Sequence, residues 1–273
     1  MAVSRNFMRE CKLMLLWTLF FGITLMLGVP RAMSSMEGEE IRYVVTTRGF
    51  QIGNVIVAQK ATPNQGEQEI YFENRTDVSA SFLWMRYHQS LSEHAALKKD
   101  NLVRYSRQGR NNDADVSVEG WLSQGTFNLM VTENGKQGTL LIPRRDYDRT
   151  TMECPEAFMD FDVSGKATLR ILDMEHLVIV TRNYRLVREE VYRLGDREYP
   201  CRVVDFSDIY KSCRRWIGMD GDTVIMFRQD GKSKEGSYSV RAVSLHRPMP
   251  CNQHEWICDQ PVISPDMGSH SPN

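Results

Sequence analysis

Between about residues 40 and 245 the chain is a succession of short apolar-rich runs separated by turn residues, the pattern of strands rather than helices. Ile41–Val45 and Asn54–Gln59 flank a turn around Gly49 and Gly53. Glu69–Thr76 and Ser81–His88 follow, and the second is rich in aromatic residues. Leu91–Lys99 reads instead as a short helix. Leu102–Ser106, Ser117–Leu122, Phe127–Thr132 and Gly138–Ile142 continue the strand series, and a helical turn is expected over Glu153–Phe161, where Pro155 sits near the start. The later strands are Ala167–Leu172, His176–Thr181, Tyr184–Tyr192, Tyr199–Phe206, Ser212–Ile217, Thr223–Arg228 and Ser237–Leu245.

The punctuation is that of hairpins. Asn134-Gly135, Asp220-Gly221 and Asp230-Gly231 are Asx-Gly pairs, which reach positive φ at low cost and suit tight antiparallel turns. Ser164-Gly165 and Leu194-Gly195-Asp196 are weaker signals of the same kind. No run resembles the long helical crossover that parallel strands need. The fold class is therefore mainly all-β: one large, strongly curved antiparallel sheet or open barrel with one or two short helices, spanning residues 38–246. A Pro-rich tail, residues 247–273, follows it. A sheet this large must close or curl. Thr223–Arg228 is apolar on both sides, with Val224 and Met226 opposite Ile225 and Phe227, so both faces are covered there or a concave face holds something.

The first 34 residues do not fit the strand pattern. Arg5, Arg9 and Lys12 precede fifteen uncharged residues, Leu13–Leu27, and Gly28 and Pro30 then interrupt. Ala32-Met33-Ser34 places small residues where a signal peptidase reads them. A secretory signal ending at Ser34 is the expectation, with an uncleaved inner-membrane anchor as the alternative, since a spanning helix needs about 20 residues. No Cys follows at a lipid-attachment position.

Charge narrows the functional classes. The whole chain has 34 basic and 35 acidic residues. Loss of Arg5, Arg9, Lys12, Arg31 and Glu10 with the signal leaves 30 and 34, a net charge of −4. That balance excludes a nucleic-acid binder that works through a basic excess and suits a soluble periplasmic protein.

Several stretches together resemble a known family. They are Arg42-Tyr43-x-Val45 with Gly49-x-x-Ile52-Gly53, the aromatic run ending at Tyr87 with Asn101–Ser106, the Pro143 segment, Asp162-x-x-Gly165, and Trp216–Gly221. Over residues 40–245 the chain is similar to secreted proteobacterial proteins grouped only as a domain of unknown function. The resemblance implies a curved antiparallel sheet akin to periplasmic lipoprotein carriers and the periplasm of a Gram-negative bacterium as location. It implies no catalytic residue.

Five cysteines follow the signal: Cys154, Cys201, Cys213, Cys251 and Cys258. An oxidising compartment makes disulfides the default. A hairpin centred near Ser207 places Cys201 opposite Cys213, about 4.5 Å apart at Cα in a non-hydrogen-bonded pair, within disulfide range. Reactive thiols are the alternative. Cys251 and Cys258 are expected to close a small loop; Zn²⁺ held by these two with His254 and a fourth ligand from Glu255 or elsewhere is the rival. Cys154 is left as a buried thiol or as a partner in another pairing.

Candidate chemistry is sparse. Asp146 with Asp148, and Asp160 with Asp162, are paired carboxylates, but in turn segments where Asp serves local hydrogen bonds. The six histidines are scattered, and neither a nucleophile elbow nor a phosphate loop is present in the sequence. Arg104, Arg107, Arg110, Arg144, Arg145 and Arg149 are interspersed with Asp113, Asp115, Asp146 and Asp148, which reads as a salt-bridged surface. The expectation is a non-enzymatic envelope protein without cofactor or metal. Its curved sheet would hold a lipid or acyl chain against Phe82, Trp84, Phe127, Met130, Trp216, Ile225 and Phe227. The alternative is an assembly factor that contacts envelope proteins through an exposed edge, over a packed interior.

Overall fold

The computed structural model describes residues 38–64, 67–82, 85–99, 101–221, 223–234 and 236–247. The signal segment and the tail with Cys251, His254, Glu255 and Cys258 lie outside the described residues, as do Trp84 and the side chain of Phe82. Among the described residues there are fifteen strands in one sheet. The first eight are β1 (Glu39–Thr47), β2 (Phe50–Asn64), β3 (Glu67–Phe82), β4 (Met85–Lys98), β5 (Asn101–Asn111), β6 (Ala114–Ser123), β7 (Thr126–Glu133) and β8 (Lys136–Pro143). The remainder are β9 (Arg149–Thr150), β10 (Lys166–Asp173), β11 (Val178–Leu194), β12 (Arg197–Ser207), β13 (Ser212–Asp220), β14 (Thr223–Lys232) and β15 (Ser237–His246).

The topology is two meanders joined along one seam. β1 pairs with both β2 and β15, so the sheet runs from β8 through β1 to β15 and on to β9. Every pair is antiparallel except β9 with β10. The two helical pieces, Arg144–Asp146 and Pro155–Ala157, are single 3₁₀ turns of three residues. The all-β reading and the single large sheet therefore hold.

Local chemistry explains the tight turns. Arg48-Gly49, Gln124-Gly125 and Asn134-Gly135 each place two successive residues at positive φ, the backbone of a type I′ hairpin. Curvature comes from irregular register: the ladders shift at Val45/Thr46, Ala96/Leu97, Leu186/Arg188 and Trp216/Ile217. Each such bulge bends a strand and re-aims its side chains. Val180, Tyr184 and Leu186 of β11 accordingly serve one cluster, while Val187, Tyr192 and Leu194, beyond the bulge, serve another.

Four local expectations are corrected. Leu91–Lys99 is not a helix: Leu91–Lys98 belongs to β4, hydrogen-bonded to β3 and β5 on its two sides, and Lys99 is in the turn that follows. Its Ala, Leu and Lys residues are good helix formers, but burial of Ala95, Ala96 and Leu97 in the sheet overrides that weak preference. Ser81–His88 is not one strand, because Phe82 at the end of β3 pairs with Met85 at the start of β4. His176–Thr181 and Tyr184–Tyr192 are not separate strands; they merge in β11, which begins only at Val178. Asp230-Gly231 is no turn and lies inside β14. Gly231 is needed there for space, since a Cβ would collide with the ring of Tyr238 on the paired strand.

Three apolar clusters fill the described body. The first joins β4–β8 (Leu97, Leu102, Val118, Phe127, Leu129) to Leu172 and Met174 at the end of β10. The second gathers Ile41, Tyr43, Tyr199, Val203, Ile225 and Phe227. The third packs Ile171, Val180, Tyr184, Val204 and Phe206. Val203 and Val204 are consecutive, hence on opposite faces of β12, and both are fully buried. The sheet is covered on both sides at that point.

Candidate functional site

Among the described residues, the segment from β9 to β10 carries several buried polar groups. Thr150, Glu153, Pro155 and Glu156 are all buried. Cys154 adopts a left-handed backbone, φ 47° and ψ 56°, and so turns the chain into the 3₁₀ turn that follows. Glu153 accepts hydrogen bonds from Thr150 Oγ1 (3.1 Å) and from the backbone N–H of Leu102 on β5 (3.4 Å). Glu156 Oε1 accepts from Arg215 Nη1 of β13 at 2.8 Å. The carbonyls of Ala157 and Met159 accept from Arg202 of β12 at 3.5 and 3.2 Å. One segment thus ties β5 to β12 and β13, and it does so largely through charged groups away from water.

Burial sets the protonation tendencies here. Desolvation raises the Glu153 carboxyl, opposed by its hydrogen bonds with Thr150. Desolvation, helped by the charge of Glu156, raises the Cys154 thiol to about 12, so it is a poor nucleophile at neutral pH.

A second buried network lies beside the first. Arg182, 1% exposed, donates from Nε to Asp208 Oδ2 at 2.9 Å, and its Nη2 lies 3.6 Å from Asp173 Oδ2. Asp173 also faces His176 Nδ1 at 3.3 Å, and the His176 ring stacks on Tyr210 with centroids 3.9 Å apart. Asp173, Glu175 and His176 bring ligand atoms within 4.8 Å of one another. Arg182 and Lys211, whose Nζ lies 2.6 Å from Glu175, already supply positive charge there, which disfavours a cation. The guanidinium groups of Arg182 and Arg215 both lie over the Phe206 ring, at 4.4 and 4.7 Å from its centroid.

On the sheet surface nearby is an open groove of about 890 Å³. Its floor is a row of alternating charge set by register: Arg185 pairs with Asp205, Asp205 with Arg214, and Arg214 with Asp230. Asp205 accepts from Arg185 at 2.7 Å and from Arg214 at 2.6 and 3.0 Å. The two arginines satisfy Asp205, Asp230 accepts from Arg228 and Ser239, and the lining also includes Phe206, Trp216 and Tyr238.

The residues expected to line one cavity are not brought together. Phe127, fully buried, belongs to the first cluster, whereas Trp216, Ile225 and Phe227 belong to the second. Phe227 is packed between Tyr192 and Tyr199 at 5.0 and 4.9 Å, and Trp216 Nε1 donates to Glu190. Met130 is only partly buried and is next to Leu129, so it points to the other face of β7. The Cys201–Cys213 disulfide is also corrected. The β12–β13 hairpin turns between Ser207 and Ser212, which sets Cys213 opposite Phe206 and Cys201 opposite Gly218. Both cysteines are free and buried, and Cys154 is free as well.

The paired aspartates serve structure. Asp162 Oδ1 accepts from the backbone N–H groups of Ser164 and Lys166, closing a turn, and Asp148 binds Arg170. The arginines divide. Arg110–Asp115 and Arg145–Asp146 are exposed ion pairs. Arg107 is buried and donates to the carbonyl of Met174, and Arg144 reaches Asn101 and the carbonyls of Tyr147 and Asp148. Sequence reasoning missed Glu156, Arg182 and Arg215. Arg182 carried a signal, as a charged residue between the apolar Val180 and Tyr184 on one face of a strand.

No family model matches the chain, and no curated protein matches it. Among solved structures it is similar to the crystal structure of a β-barrel-like protein of the domain of unknown function DUF1849 from Brucella abortus. The TM-score is 0.55 at 10% identity, over 78% of this chain and 98% of that one. The likeness is one of fold: this chain has a β-barrel-like architecture. Among the described residues no helix is long and apolar enough to cross a membrane.

Proposed function

We propose that the protein is an exported, non-enzymatic assembly factor of a bacterial cell envelope, which works by pairing its β8 edge with an extended strand of an envelope protein. The carrying observation is the state of that edge. Among the described residues β8 is hydrogen-bonded to β7 alone, and it runs for eight residues. The first apolar cluster reaches it unfinished: Leu129 is fully buried, but its cross-strand partner Leu140 is 39% exposed. On the other face Leu141 is 65% and Trp121 44% exposed. Natural sheets guard long edges with charge, bulges or proline, and here Lys136 and Pro143 stand only at the two ends of the strand. An added strand would extend the ladder and cover leucines on both faces. The opposite edge, β9, has two residues and a buried Thr150.

The packed interior supports this reading over a lipid carrier, because the apolar side chains that would grip an acyl chain already fill two separate clusters. Export to the periplasm rests on the charged and apolar pattern of the first 34 residues. The test is complementation in the native host by a Leu140→Glu/Leu141→Lys variant, alongside native mass spectrometry of the wild type from its envelope fraction. The expected result is loss of complementation with a folded variant, an apoprotein mass, and a mature chain starting near Ser35. Full complementation by the variant, with non-covalent lipid mass on the wild type, would instead establish the carrier.

A further inference from the structure

Three polar atoms around Phe206 are buried and have no protein hydrogen-bond partner: Nη2 of Arg182, the hydroxyl of Tyr184 and Oε2 of Glu156. Their residues are 1%, 2% and 0% exposed. Arg182 and Tyr184 are two residues apart on β11 and share a face. The Tyr184 ring lies 5.9 Å from Phe206, and the guanidinium of Arg182 covers the same ring. Glu156 is brought to this ring by Arg215, which binds its other oxygen and also lies over Phe206. Nη2 of Arg182 is 2.8 Å from Asp208 Oδ2, but it is Nε that makes the directed hydrogen bond to that oxygen. Burial and the charge of Glu156 raise the Tyr184 phenol, against the charges of Arg182 and Arg215 and a side-chain approach of Arg182 to the hydroxyl, so it stays a hydroxyl across the working pH range.

The chemistry of the three atoms selects their ligand. Arg182 Nη2 offers a proton, Glu156 Oε2 requires one, and the Tyr184 hydroxyl can give or take. A cation is disfavoured by Arg182 and Arg215, and an anion by Glu156, Asp173 and Asp208. What remains is a small neutral species that both donates and accepts. Buried water makes about three such bonds, and polar groups with no protein partner are where it resides. We infer that Arg182, Tyr184 and Glu156 hold ordered internal water that links the Glu156–Arg215 pair to the Asp173–Arg182–Asp208 network. The segment carrying Glu156 is then fixed to β11 as well as to β13, and the two ion-pair systems behave as one unit.

Magnetic relaxation dispersion of water on the purified full chain counts long-lived internal molecules, and a Tyr184→Phe variant removes one of the three ligand atoms. If the site is occupied, the variant loses a long-lived water and its Tm falls by about 2–4 °C, the loss of roughly one hydrogen bond. If the hydroxyl is a true orphan, its removal relieves a desolvation cost, so Tm rises and the relaxation profile is unchanged; that pair of results would overturn the inference. A Glu156→Gln variant provides the second reading. Its amide can still bind water, so retention of the water signal there beside its loss in Tyr184→Phe supports the site, whereas an unaltered profile in both variants with a stabilised Tyr184→Phe ends it.

Discussion

The two arms of the sheet bury different things. In β4–β8 the interior is a run of Leu, Val, Phe and Ala side chains, with Arg107 at its margin bound to a backbone carbonyl. In β9–β14 the interior also contains Asp173, Arg182, Glu156 and most of Arg215, placed against Phe206 and Tyr184. Packing an apolar interior requires only shape and volume. Burying charges is costly unless each is paired with good geometry, and such pairs serve arrangement more readily than they serve stability. The lesson is that the first arm is built to be stable and ends in an unfinished edge, while the second is built to hold one irregular segment in one place.

The largest effects should come from breaking each interior in its own way. Phe127→Ala opens a cavity in the first cluster and should lower unfolding free energy by about 3–5 kcal/mol in urea denaturation. Arg215→Met leaves the buried Glu156 carboxylate unpaired and should cost a similar amount, about 3–5 kcal/mol. The arms then part company. Adding Glu156→Leu to Arg215→Met should restore most of the loss, whereas no second substitution beside Phe127 recovers a cavity so simply. Failure of the double variant to recover would mean that the charged network contributes net stability.

A smaller effect separates the surface of the second arm from its interior by pH. Arg214 hydrogen bonds hold the Asp205 carboxyl below its usual value of 3.8, against partial desolvation. A lowered folded value means that this contribution is complete above 3.8 and is lost as pH falls through the folded value. Glu153 has the opposite sign. Its raised carboxyl favours the fold below the ordinary value of 4.5 and loses that advantage as pH rises through the folded value. Urea midpoints measured down through the acid range should therefore fall less steeply for Asp205→Asn than for wild type. An identical slope would remove Asp205 from the acid response. The smallest effect belongs to Arg145→Ala. Arg145 is 89% exposed and 3.8 Å from Asp146, and its loss should change stability by less than about 0.5 kcal/mol.

The sequence by itself determined the class of this fold. Asn134-Gly135 and Gly195 mark hairpins that form where they stand, because positive φ is a local property of those residues. Strand alternation within Phe127–Thr132 by itself puts Phe127 and Met130 on opposite faces, so grouping both in one cavity went against a local rule, since a strand offers no third direction. Local signals failed where a partner strand decided. Leu91–Lys98 became strand because β3 and β5 lie on its two sides, and Gly231 sits in mid-strand because Tyr238 needs its space. The Cys201–Cys213 error has the same root: hairpin register follows from where the chain turns, and the turn lies beyond Ser207. The buried pair Asp173–Arg182 spans one hairpin, β10–β11, whereas Glu156–Arg215 joins residues 59 positions apart on elements whose meeting no single stretch encodes. Only the curved course of the sheet, with one irregular segment packed against it, brings those charges out of water and face to face.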